Sequence, residues 1–146
     1  MSQKTRKAQV VVAAFDAQSQ SFSYLLLQTN QRRGEFWQNV TGKVEEGESY
    51  EEGGLREVIE ETSLKPEWVL NFIDLNLSHD FMDQWNRNVH EKCFLCLVDH
   101  PFAVKIDPGE HESHRWEKNI SRKSVKHEGN FEALQKAIKI LEKEYT

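Results

Sequence analysis

Gly42-Lys43-Val44-Glu45-Glu46-Gly47-Glu48-Ser49-Tyr50-Glu51-Glu52-Gly53-Gly54-Leu55-Arg56-Glu57-Val58-Ile59-Glu60-Glu61-Thr62-Ser63-Leu64 is the stretch that decides how this chain folds. Residues 42–48 are rich in Gly and Glu and read as a loop, and residues 49–63 read as a helix. Ser49 and Glu52 stand at capping-box spacing, and Glu51 and Glu52 favour the positive end of the helix dipole. On a wheel of about 100° per residue with Glu57 at zero, Glu61 falls near about +40° and Glu60 near about −60°. Three carboxylates therefore share one face, Arg56 lies at its margin, and Leu55, Val58, Ile59 and Thr62 form the opposite, core-facing side.

Such a face costs stability. Glu57 and Glu61 are a like-charge i,i+4 pair. Gly53 and Gly54 each cost about 1 kcal/mol relative to Ala inside a helix. A solvated acidic face is the ordinary reading of such a cluster. A divalent cation neutralising the carboxylates is the functional one. Hard oxygen donors at this spacing suit Mg²⁺, with Mn²⁺ as a substitute, and leave positions for water and phosphate.

The spacing as a whole resembles the Nudix box, G-x5-E-x7-R-E-U-x-E-E-x-G-U with U apolar. Gly42, Glu48, Arg56, Glu57, Val58, Glu60, Glu61 and Leu64 all match, and Ser63 stands where the family has Gly. That Gly ends the helix, so the departure bears on helix-end geometry more than on chemistry. The resemblance implies an α+β fold, an α/β/α sandwich with a mixed central sheet, spanning the chain as a single domain. It implies a hydrolase that cleaves a nucleoside diphosphate linked to another group by water attack on phosphorus. Carried over by position, Glu57, Glu60 and Glu61 are metal ligands, the Gly42 carbonyl is a further ligand, and Arg56 orients Glu48 or Glu57. Glu48 would help to hold the loop.

A narrower resemblance joins Phe36-Trp37-Gln38-Asn39-Val40-Thr41-Gly42-Lys43 to bacterial dihydroneopterin triphosphate and dATP pyrophosphohydrolases. Glu110-His111 followed by Trp116 is similar to that subgroup's E-H-x4-W. It implies that Glu110 completes the metal site or acts as base, with Glu112 and Glu117 as rivals. Trp37 and Lys43 lie in the shared stretch and are expected to contact substrate. Arginines directly follow the second strand in that subgroup; here Thr29 and Asn30 intervene, and Arg32 and Arg33 are the candidates for phosphate. Phe81 and Trp85 are candidates to stack on a ring or to form a satellite core. His79, His90 and His114 have no metal-ligand spacing along the chain and receive no role.

The remainder of the chain sets bounds. Its 146 residues suit one domain of ordinary size. The net charge of −5 argues against nucleic acid or an anionic membrane as partner. It also leaves an anionic substrate in need of a cation. No apolar run approaches the roughly 18 residues of a membrane helix. Lys4, Arg6 and Lys7 ahead of Val10–Phe15 suggest a signal peptide, but Asp16 ends the apolar run and a strand is the better reading. Cys93 and Cys96 form C-x-x-C within an apolar run; three residues apart on a strand they face opposite ways, so core cysteines are expected rather than half a zinc site. A cytoplasmic address follows by default. The partner is then a small nucleotide or pterin polyphosphate, and no surface patch argues for an oligomer.

Strands are expected at residues 10–15, 22–28, 36–41, 68–77 and 89–98, with a loop over 99–114. A C-terminal helix is expected over about 131–144, capped by Asn130. Three functions remain open: a triphosphate pyrophosphohydrolase, a hydrolase of dinucleoside polyphosphates or nucleotide sugars, and a non-catalytic nucleotide-binding module. Retention of all three box carboxylates disfavours the last.

Overall fold

The computed structural model describes residues 4–145. Its centre is a seven-stranded mixed sheet. The strands are β1 (Thr5–Asp16), β2 (Ser21–Thr29), β3 (Trp37–Gln38), β4 (Val40–Lys43), β5 (Val69–Met82), β6 (Asn88–Val98) and β7 (His111–Glu117). Helix α1 (Tyr50–Thr62) covers one face and α2 (Glu128–Tyr145) the other. This is the expected α/β/α sandwich.

β1 organises the sheet because its apolar residues serve both faces. Ala8, Val10, Val12 and Ala14 pack with Val58 and Leu64 on the α1 side. Val11 and Ala13 pack with Leu134 and Leu141 on the α2 side. A strand buried on both faces reads as a continuous apolar run, as residues 10–15 do. Along one edge β1 runs parallel to β6 from Thr5 to Ala14. On the other it pairs with β2 only near the hairpin, from Ala13 to Asp16, and then with β4 from Lys7 to Val10. β2 turns away to pair with β3 and β7. The single strand expected over 36–41 is therefore two, broken at Asn39, whose buried side-chain amide donates to Gln9 Oε1 at 2.7 Å.

Two further boundaries differ from expectation. The loop expected over 99–114 ends earlier, because β7 begins at His111; its polar sequence hides a strand that gains its partners from β2. Asn130 does not cap α2: the helix begins at Glu128, and Asn130 Oδ1 accepts from the Asn39 backbone at 2.8 Å. Cys93 and Cys96 are free and fully buried on opposite faces, as expected of core cysteines. Burial pushes the Cys96 thiol up to about 12. No helix among the described residues is long and apolar enough to cross a membrane.

α1 begins with the expected capping box, Ser49 accepting from Glu52 N and Glu52 from Ser49 N. It ends at Ser63, held left-handed at φ 63° and ψ 29°. A side chain in that conformation costs about 1 kcal/mol relative to Gly. Ser63→Gly is therefore expected to stabilise the fold by about 1 kcal/mol, seen as a raised urea midpoint at unchanged slope. The two helix glycines are explained by packing: a Cβ on Gly54 would lie 3.2 Å from Val10 and 3.4 Å from Ala8, and one on Gly53 3.0 Å from Val44. They let α1 lie close against β1 and the loop that follows β4.

Candidate active site

The loop after β4 folds back over the start of α1. Gly47 adopts φ 86°, which glycine supplies without strain. Glu48 closes the loop by accepting from the Glu45 backbone at 2.8 Å. Arg6 on β1 fastens it from below, donating to the carbonyls of Glu48 at 2.8 Å and Glu45 at 2.9 Å.

Arg56 joins this loop to the acidic face. Its Nε and Nη2 grip both oxygens of Glu48, at 2.8 and 3.1 Å. Nη1 donates to Glu57 and to Glu60, each at 3.0 Å, and Nη2 also reaches the Lys43 carbonyl at 2.9 Å. The sequence reading left Glu48 and Glu57 as alternative partners; the guanidinium holds both. Arg56 keeps the Glu48 carboxyl below its usual range. Glu57 behaves oppositely: burial drives its carboxyl up to about 7, Arg56 opposes the rise, and Glu61 and Glu60 add to it.

Glu57 also lies directly over Gly42, where a methyl group would land on its carboxyl. No other residue type would let that strand and that carboxylate approach so closely. Glu61 sits beside them, its side chain 12% exposed. Its Oε2 is buried and has no aligned hydrogen bond. The nearest group is His111 Nδ1, 3.0 Å away but off the line a hydrogen bond requires. A buried carboxylate oxygen without a donor on Glu61, on the same helix face as Glu57 and Glu60 and near a strand cut back to Gly, fits a hard divalent cation such as Mg²⁺ or Mn²⁺. Gly42, Glu57, Glu60 and Glu61 are the residues that could hold it.

His111 was not assigned from sequence. It is 2% exposed, and its Nε2 lies 3.2 Å from the Gln38 amide nitrogen. With that amide donating, the neutral ring carries its hydrogen on Nδ1, the nitrogen facing Glu61. The available signal was its place after Glu110 in the E-H-x4-W stretch.

The remaining candidates lie outside this network of side chains. Arg32 and Arg33 occupy a short 3-10 turn, Gln31–Arg33, capped by Asn30. Arg33 donates to Glu110 at 2.6 Å and Arg32 to the Gly109 carbonyl at 3.2 Å. The structure thus joins Glu110 to Arg33 rather than to the box carboxylates. Trp37 is half-buried on β3, with the Arg115 guanidinium 4.3 Å over its ring. The Lys43 side chain is exposed and only its carbonyl enters the network. Phe81 and Trp85 stand 41% and 64% exposed near the β5–β6 turn, so they do not form a satellite core.

A seven-stranded mixed sheet between two helices, with a strand–loop–helix unit that gathers carboxylates around a glycine, defines a class recognisable by comparison. Residues 4–130 match the NUDIX domain family model, and the chain belongs to that family. Hydrolases of this family act on acid anhydrides and generally use Mg²⁺ or Mn²⁺. Solved structures share the fold. An Ap4A hydrolase of C. elegans has TM-score 0.78 at 18% identity, with 95% of this chain and 98% of that one covered. The NUDIX domain of Shewanella oneidensis NrtR, complexed with ADP ribose, has TM-score 0.75 at 18% identity, with 97% and 90% covered. The dihydroneopterin triphosphate pyrophosphohydrolase of E. coli has TM-score 0.72 at 24% identity, with 92% and 96% covered. A protein of Myxococcus xanthus described as an octanoyltransferase is 30% identical over 115 residues, 73% of this chain. The chain spans only 29% of that protein, too small a part for its activity to describe this chain.

Proposed function

We propose that the protein hydrolyses a (deoxy)nucleoside or pterin triphosphate to the monophosphate and pyrophosphate. The observation that carries the reaction class is the contact of the Glu57 carboxyl with Gly42, one helical turn from Glu61, whose Oε2 is unpartnered. The triphosphate assignment rests on the sequence resemblance over Phe36–Lys43 and Glu110–Trp116. Gly42, Glu57, Glu60, Glu61 and, from outside the box, Glu110 would hold the divalent cation. When bound, the cation would neutralise phosphate charge and act as a Lewis acid.

The chain's own groups do the rest. Arg56 fixes the directions in which Glu48, Glu57 and Glu60 point. Arg32 and Arg33 meet the phosphates, and a phosphate arriving at Arg33 competes with Glu110 for it. Glu110, once released, either completes the cation site or accepts the proton of the attacking water. Lys43 stands exposed next to Gly42 on β4, whereas Trp37 packs on the α2 side of the sheet.

The test is a panel of nucleoside and pterin triphosphates, dinucleoside polyphosphates and nucleotide sugars, each with Mg²⁺ and assayed for phosphate and pyrophosphate. Pyrophosphate release from at least one triphosphate is expected. Turnover confined to dinucleoside polyphosphates or sugars would replace the substrate class and keep the reaction. No turnover on any compound would overturn both.

A further inference from the structure

The α2 side of the sheet holds a second cluster of donor atoms, outside the site above. His79 on β5 and Glu91 on β6 are direct cross-strand partners. Cys93, two residues along β6, points to the same face. His79 Nδ1 lies 3.3 Å from Glu91 Oε1 and 3.8 Å from Cys93 Sγ. One donor atom from each of the three falls within 4.8 Å of the others. Zinc bonds of about 2.0 Å to N and O and about 2.3 Å to S make the edges of a tetrahedron about 3.3–3.6 Å long. The two His79 separations lie close to those lengths.

The surroundings support the same reading. Glu91 is 7% exposed and Cys93 0%. The Glu91 carboxylate accepts from Gln9 at 2.8 Å and faces His79, and among the described residues no Lys or Arg forms an ion pair with it. The other ring nitrogen of His79, Nε2, is buried without a hydrogen bond, and Glu132 Oε2 of α2 lies 3.6 Å from it. A carboxylate behind the far nitrogen is the usual brace of a metal-bound imidazole. Gly129, in the first turn of α2, packs against the ring; a Cβ there would stand 3.3 Å from it.

We propose that His79, Glu91 and Cys93 bind one Zn²⁺, with Glu132 bracing His79 and the fourth position left to water. Imidazole and thiolate select zinc over Mg²⁺, which prefers oxygen alone. Binding transfers the Cys93 thiol proton to solvent and forms the sulfur–zinc bond. The ion would tie β5 to β6 and, through Glu132, to α2. It is independent of the proposed hydrolysis and of the acidic face of α1, which contains no sulfur.

Co²⁺ added to chelator-treated protein tests it, because thiolate ligation gives a near-ultraviolet charge-transfer band that carboxylates cannot give. The band should saturate at one equivalent, disappear on addition of one equivalent of Zn²⁺, and survive in Glu61→Gln and Cys96→Ala. It should be absent in Cys93→Ala. His79→Gln, at a side chain only partly buried and so little threat to the fold, should weaken Co²⁺ binding at least tenfold. A wild-type protein without the band, a band that persists in Cys93→Ala, or unaltered affinity in His79→Gln would each overturn the site.

Discussion

Glu61→Gln is expected to slow Mg²⁺-dependent hydrolysis by roughly 10²–10⁴-fold, the equivalent of several kcal/mol of lost charge stabilisation. The substitution keeps the shape of a side chain packed against His111, so the fold should persist. It also removes one of two like charges at i and i+4, which relieves the metal-free helix by a few tenths of a kcal/mol. Activity and metal-free stability should therefore move in opposite directions. Steady-state rates at saturating Mg²⁺, with a thermal melt of the same sample, check both. Near-native rates would remove Glu61 from the cation site.

Arg56→Gln should be the most destabilising single change in the site. All five guanidinium hydrogens are engaged: one on Nε with Glu48, two on Nη1 with Glu57 and Glu60, and two on Nη2 with Glu48 and the Lys43 carbonyl. Without them, Glu48 and Glu57, with side chains 20% and 13% exposed, lose the counter-charge they share. Breaking a buried pair costs about 3–5 kcal/mol, and the partial exposure here reduces that to about 2–3 kcal/mol. Arg56→Lys restores a point charge without the planar fork and should recover only a small part of the loss. Urea titrations without and with Mg²⁺ check this. The gap should narrow with the cation present, since it supplies some of the missing positive charge. Equal midpoints for the variant and the parent would dismiss Arg56 as the organiser of the loop.

The parts of this fold that were legible in sequence are those governed by local rules. The capping box at Ser49, the left-handed stop at Ser63 and the segregation of Val58 from Glu57 depend on residues a few positions apart. The continuous apolar run at residues 10–15 likewise marked a strand. What stayed hidden depends on distant partners. β7 is polar and becomes a strand only because β2 presents a free edge. Asn130 has the chemistry of a helix cap but serves Asn39, 91 positions away in sequence. His111 and His79 look ordinary along the chain, and only the packing of the sheet places one against Glu61 and the other against Cys93. The roles of Arg32, Arg33 and Glu110 concern a ligand, which intramolecular contacts alone do not define.

The parallel pairing of β1 with β6 also has a consequence for how the molecule is made. Thr5 finds its partner in Val89 and Ala14 in Val98. β1 is made before every other strand among the described residues and must wait for β6 before its edge is closed. Contacts of such range form slowly, because a long loop must be closed before any pairing repays it. Until then, Val10, Val11 and Val12 form an open, apolar edge of the kind that recruits other chains. Fragments ending before residue 88 should aggregate rather than fold, even though they contain the entire Gly42–Leu64 segment. The catalytic device is local in sequence, but its foundation is completed only by a strand that arrives late.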